Sequence, residues 1–190
     1  MIISTRYVFV MDKDIYIREL INRVARLDAT TAWQQDLNPA QRAALNYLAR
    51  ANRFSCSPSH VAEYLGSTRG TITQTCKALV KKGYVTEQRS ETDKRVVSFQ
   101  LTEIGVSVTA ASNFVADAVA DMSETAKNNL MTSLEKLVRS LIIKNGGRAF
   151  GVCNQCKHFE SRQNGGYCTL LSEGLTALDA TKICHEQDAA

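Results

Sequence analysis

The stretch from Ser67 to Lys82, STRGTITQTCKALVKK, admits few structures. Ile72, Cys76, Leu79 and Val80 recur at i, i+4, i+7 and i+8, which predicts a helix with one narrow apolar stripe to bury. At about 100° per residue, Gly70, Thr71, Gln74, Lys77 and Lys81 fall opposite that stripe, with Ser67, Thr68 and Arg69 at the N-terminal end. Such a face suits the DNA major groove, where Gln pairs with adenine, Thr bonds a base or touches the thymine methyl, and cations meet phosphate. The same pattern also serves as the solvated face of an ordinary surface helix. The flanking sequence decides between the two.

The chain has two prolines, and they follow Asn38 and Ser57. In each case an N-cap residue precedes a proline at the first helical position, which marks two helix starts. One helix runs through Ala44, Leu45, Leu48 and Ala49 to about Asn52. The other, Pro58 to Leu65, stops at Gly66, after which Ser67 is expected to cap the next helix. A short helix, a tight turn and a longer polar-faced helix make a helix-turn-helix. Gly83 ends the long helix, and Tyr84 to Arg89 and Arg95 to Leu101 read as strands around the polar SETDK turn. The result is a winged helix over about residues 38–101.

Long helices flank this unit. Ile17, Leu20, Ile21, Val24 and Leu27 repeat at helical spacing between Lys13 and about Gln35. Thr102 opens a helix that continues through Val106, Val108, Phe114 and Val119 to about Met122. Ser123 caps another, whose Leu130, Leu134, Leu137 and Leu141 form a seam for a partner helix. Asn145, Gly146 and Gly147 break it and form a hinge. The expected fold is mainly α with a small β-hairpin wing, an obligate dimer over residues 1–148, followed by a small metal-binding module over 149–190. Residues 1–10 are apolar and β-branched, with no function assigned to them.

From Asn38 to Leu101 there are ten Lys or Arg against four Asp or Glu, and from Phe150 onward three against five. A basic middle beside a slightly acidic tail fits a nucleic-acid partner better than a membrane surface. With 44% hydrophobic and 22% charged residues the chain is not globally disordered. No signal peptide or membrane-spanning run is evident, so a cytoplasmic protein is expected, in which six cysteines are metal ligands or free thiols rather than disulfides. The sequence has no nucleophile and base pairing, no phosphate-cradling glycine loop and no HExxH, so an enzyme is not expected.

Asn38-Pro39 before a helix, LGSTRGTITQTCKALVKKGYV, Asp93-Lys94-Arg95 in the wing and LTEIG together resemble the MarR family of bacterial transcription regulators. The likeness covers about residues 12–145. It implies a homodimer whose terminal helices intertwine and whose winged helices meet a pseudo-palindromic operator, usually as a repressor. By motif position, Thr71 and Gln74 correspond to base-reading residues, Arg69 and Lys77 to phosphate contacts, and Arg95 to the wing arginine that enters the minor groove, oriented by Asp93. Some relatives bind small aromatic ligands between the dimer and DNA-binding lobes. Contacts from Arg69, Lys77, Lys81, Lys82 and Arg95 to phosphate predict an affinity that falls steeply with salt.

The family pattern does not reach the tail, where Cys153, Cys156, Cys168 and Cys184 are spaced C-x2-C-x11-C-x15-C. The first pair brings two thiolates to one atom or cluster, and a segment this small gains the stability it lacks from a metal centre. Zinc is common for four thiolates, but its sites usually present two close pairs. One close pair followed by two long loops resembles the small iron–sulfur modules of certain glycyl radical enzyme accessory subunits, which points to a 4Fe–4S cluster sensing redox state, oxygen or iron; structural zinc is the alternative. His158 and His185 read as bystanders, and His60 as an exposed polar residue. Cys56 and Cys76 read as packing thiols, with oxidation sensing at Cys56 a lesser option, and Trp33 and the tyrosines as core or pocket lining. A metal-dependent protein-interaction or electron-transfer module is the competing class.

Overall fold

The computed structural model describes residues 12–33, 36–90, 95–110, 114–147 and 150–188. Helix α1 spans Lys13–Trp33, α2 Pro39–Arg50, α3 Pro58–Tyr64 and α4 Arg69–Lys81. Both proline-marked starts form as expected. The Asn38 side chain accepts the Gln41 N–H at 2.8 Å while the Gln41 side chain accepts the Asn38 N–H at 3.2 Å, a reciprocal cap. The Ser57 hydroxyl accepts the His60 N–H at 3.3 Å.

Between α3 and α4 the chain turns through Gly66, whose φ of 61° a side chain tolerates poorly. The Ser67 N–H reaches back to the Ala62 carbonyl at 2.9 Å and the Gly66 N–H to Glu63 at 3.3 Å. This paired closure of α3 commits Ser67 to the preceding helix. The cap of α4 is therefore Thr68, not Ser67 as expected; the Thr68 hydroxyl accepts the Thr71 N–H at 3.1 Å.

Strands β1 (Val85–Arg89) and β2 (Val97–Leu101) pair antiparallel, Val85 opposite Leu101 and Arg89 opposite Val97. Phe99 of β2 is buried in the same core as Leu45, Tyr47, Val61, Ile72, Cys76 and Leu79. Its N–H bonds the Cys56 carbonyl at 3.0 Å, so the wing is joined to the loop between α2 and α3. The region expected to form a helix from Thr102 to about Met122 is helical over α5 (Glu103–Ala110) and α6 (Phe114–Ala120), with 111–113 outside the described residues. Gly105 in α5 lies so close to the wing that a Cβ there would stand 2.1 Å from the Tyr84 carbonyl oxygen.

Helix α7 spans Glu124–Lys144, with Ser123 capping it as expected. Helix α1 packs on α2 and α6. Yet Ile17, Leu20, Ile21, Val24 and Leu27 remain 38–52% exposed on α1, and Leu130, Leu134, Leu137 and Leu141 remain 36–50% exposed on α7. Tyr16, expected inside with the other tyrosines, is 50% exposed on α1. Among the described residues no helix is long and apolar enough to cross a membrane.

The tail is a small β-rich module. Strand β3 (Gly151–Val152) pairs with β7 (Ile183–Cys184), while β4 (Phe159–Arg162), β5 (Gly165–Cys168) and β6 (Glu173–Thr176) form an antiparallel sheet followed by α8 (Ala177–Ala180). The module rests against α2, α3 and the loop between them. The Asn52 N–H bonds the Ile183 carbonyl at 2.8 Å, and Arg53 meets Asp179 at 2.6 Å. Phe150 sets its ring edge-on to Tyr64 and His185, with centroids 5.2 and 5.5 Å away.

Candidate nucleic-acid interface

The apolar stripe of α4 is buried, with Ile72 2% exposed and Cys76 and Leu79 fully enclosed. That burial fixes the rotation of the helix and turns its other side outward. Ser67, Thr68, Arg69, Gly70, Thr71, Gln74, Lys77 and Lys81 are all exposed. The Thr71 hydroxyl shares a hydrogen bond with the Thr68 hydroxyl at 2.8 Å, and the Thr73 and Thr75 hydroxyls bond the carbonyls of Arg69 and Thr71 one turn back. Gln74, Lys77 and Lys81 project from the middle and end of the same face.

Lys82 is engaged within the protein. Its ammonium group lies 3.4 Å from the Asp36 carboxylate and 3.3 Å from the Gln41 side-chain oxygen, and also bonds the Asp36 carbonyl. It closes the start of α2 onto the end of α4.

A groove of about 450 Å³ separates α3 and α4 from the wing, with Arg69, Lys77, Arg89 and Arg95 along it. Arg89 was not among the expected site residues. It lies at the open end of β1 opposite Val97, and its guanidinium meets Glu87 two residues back at 3.0 Å. Its place among the ten Lys or Arg residues between Asn38 and Leu101 was the available signal. Arg95 is exposed at the base of the wing turn, whereas Asp93 lies outside the described residues.

In the module, Cys153, Cys168 and Cys184 share one buried cluster with Leu175, flanked by Phe54, Phe159 and Leu171. Cys156 is 9% exposed, and its sulfur accepts the Asp188 N–H at 3.4 Å. Burial pushes the Cys153 thiol up to about 12, and charge on Cys184, Cys168 and Cys156 adds to the shift. The fold thus gathers the expected ligands, but the sulfurs pack as small apolar groups. Among the described residues no three or more His, Cys, Asp or Glu side chains stand in an ion-holding arrangement.

His60, expected to be exposed, stacks on His185 with ring centroids 3.8 Å apart, and His185 Nε2 lies 3.1 Å from the Glu63 carboxylate. These residues lie on opposite sides of the contact between the module and α3. Cys56 and Cys76 are interior thiols as expected, held up at about 11 and about 12 chiefly by burial. The Cys56 thiol donates to the Asn52 carbonyl at 3.1 Å.

Residues 35–96 match the model of the MarR family. The chain is 36% identical over 72 residues to the HTH-type transcriptional regulator SarZ of Staphylococcus haemolyticus, covering 36% of this chain and 49% of SarZ. It thus spans about half the length of that curated relative. Among solved structures, FabT of Streptococcus pneumoniae in complex with DNA superposes with a TM-score of 0.54 at 25% identity, covering 67% of this chain and 94% of FabT. The S. aureus MepR–DNA complex superposes with a TM-score of 0.55 at 20% identity, covering 69% of this chain and 99% of MepR. The helices and wing therefore have the fold of the MarR-type winged-helix regulators, and residues 35–96 carry that family's sequence pattern.

Proposed function

We propose that this protein is a transcription regulator that binds double-stranded DNA as a homodimer, with α4 in the major groove and the wing against the adjacent backbone. The observation that carries this reading is the α4 face and its N-terminal approach: seven polar or basic side chains and Gly70, all exposed, beside a groove lined by four cations. Thr71 and Gln74 read bases, while Arg69, Lys77, Lys81, Arg89 and Arg95 meet phosphate or the minor groove. The apolar faces of α1 and α7 supply the dimer contact, and a symmetric dimer reads a pseudo-palindromic site and represses by occupying it. The complexes of MepR and FabT with DNA support the mode of binding.

Cys153, Cys156, Cys168 and Cys184 hold a 4Fe–4S cluster in this reading, whose state adjusts DNA affinity. Their gathering in one small, buried segment supports it. A second reading is structural zinc with a small-molecule effector; the effector is favoured by a cavity of about 840 Å³ bordered by Arg42, Arg50, Lys182 and the Arg53–Asp179 pair. Its size is that of ordinary ligand pockets and its charge suits an anionic effector.

The test is binding to a random-sequence duplex pool over a range of salt, followed by selection of the bound sequences. Enrichment of a two-fold symmetric site, with affinity falling steeply as salt rises, is expected. A protein that ignores DNA at low ionic strength would instead be an interaction or electron-transfer module. Visible absorption and metal analysis after anaerobic purification separate the cluster from zinc.

A further inference from the structure

We propose that Gly70 is a positioning residue of the reading helix: its missing side chain sets how deep α4 enters the major groove, and so whether Gln74 reaches the base edges. The proposal rests on the reading of α4 as the DNA-binding helix. It gives a role to the one position of the outer face of α4 that carries no side chain.

The fold does not ask for a glycine there. Glycine is unfavourable inside a helix, and several glycines of this chain have an evident reason for their place. Gly66 and Gly83 have φ of 61° and 78°, and at Gly105 and Gly166 a Cβ would stand 2.1 and 2.2 Å from another atom. Gly70 has neither reason. It lies in the first turn of α4 with φ outside the left-handed region, and a Cβ there would meet only the Thr68 Oγ1, at 4.0 Å. Alanine would therefore fit the free protein and suit its helix better. Gly70 is exposed, so the space it leaves is open to a partner that comes close to the backbone.

The position of Gly70 says which part of the helix that partner meets. Gly70 and Gln74 stand two residues to either side of Ile72, each about 160° around the helix from it. Both therefore lie opposite the buried stripe of Ile72, Cys76 and Leu79, one turn apart on the outermost line of α4. Neighbouring hydroxyls are drawn in: Thr71 shares a bond with the Thr68 hydroxyl at 2.8 Å, and Thr73 donates to the Arg69 carbonyl at 2.7 Å. The Gln74 side-chain amide makes no bond among the described residues and is left to project. A helix with its side chains is about 10–12 Å across and the major groove about 12 Å wide, so the deepest line has no slack for another layer of atoms. A bare first turn lets the backbone lie against the DNA. A methyl group at Gly70 holds the helix outward and lifts Gln74 from its base, while Arg69, Lys77 and Lys81 still reach phosphate on long flexible side chains.

The experiment uses the full chain as wild type, Gly70→Ala, Gly70→Leu and Gly174→Ala, the last placing a methyl in equally open space in the cysteine module. Thermal midpoints are measured, together with affinities at one salt concentration for a duplex selected by the wild type and for a scrambled duplex. Gly70→Ala is expected to raise the midpoint by about 2 °C, because alanine restricts the unfolded chain and fits the folded one. The same variant should bind the selected duplex about tenfold more weakly, the effect of overfilling a close contact. Its affinity for the scrambled duplex should stay within about twofold of wild type, since phosphate contacts carry that binding. Gly70→Leu should lose more discrimination, and Gly174→Ala none.

Equal affinity of wild type and Gly70→Ala for the selected duplex would overturn the proposal and leave α4 as the reading helix. Equal losses on both duplexes, or the same loss in Gly174→Ala, would overturn it as well, because depth at Gly70 would then have no bearing on base reading. A lowered midpoint in Gly70→Ala would show that the fold itself requires the glycine and would remove the ground of the proposal. A wild type that selects no duplex would overturn the reading of α4 and the proposal together.

Discussion

Gln74 and Arg95 are both exposed, and the proposed DNA complex assigns them different physical work. A side-chain amide in mid-helix distinguishes bases, whereas a guanidinium at the wing neutralises backbone charge that every sequence shares. Replacing Gln74 by alanine is expected to relax preference at one base position by about 1–3 kcal/mol, as read by binding selection. Replacing Arg95 by alanine should weaken binding to all sequences and lower the salt slope by about 1 for each protomer; full operator affinity in that variant would remove the wing from the mechanism. At Cys56 and Cys76 the raised thiol values of about 11 and about 12 keep both side chains protonated near neutrality. Since only the thiolate reacts, iodoacetamide at about pH 8 should label neither in the native protein and both once it is unfolded. Rapid native labelling of Cys56 would reopen it as an oxidation sensor.

The helix-turn-helix was legible residue by residue because its signals are local: Asn38-Pro39, Ser57-Pro58, the stops at Gly66 and Gly83, and the stripe from Ile72 to Val80. Ser67 was misassigned because a cap residue and a C-terminal closing residue look alike until the bond from its N–H to Ala62 is known. Two glycines in this region have different physical duties. Gly66 has open space around it and needs only its positive φ, so Gly66→Ala should cost about 1 kcal/mol in backbone strain. Gly105 has ordinary backbone but no room before the Tyr84 carbonyl, so Gly105→Ala must push α5 off the wing and should lower the thermal midpoint by more. Equal midpoints for the two variants would refute the close approach. The strands of the tail were not legible, being two to four residues long and dominated by glycine, cysteine and polar side chains.

Across the whole molecule, the exposed leucines of α7 and the apolar face of α1 leave a surface that a single chain does not cover. Leu134→Asp with Leu137→Asp is expected to yield a monomer by sedimentation and to abolish the retarded band at protein concentrations that saturate the wild type. A double variant that stays dimeric would place the interface elsewhere. The order of elements from α1 to α7, the caps at Asn38, Ser57 and Ser123 and the outward face of α4 followed from the sequence alone, because each depends on residues within one or two turns of one another. What only the tertiary structure decided is the seat of the cysteine module: Arg53 meets Asp179 across 126 residues and Ser55 meets His185 across 130. No periodicity or cap encodes such pairings, since side chains that far apart are matched only by the packing that brings their surfaces together.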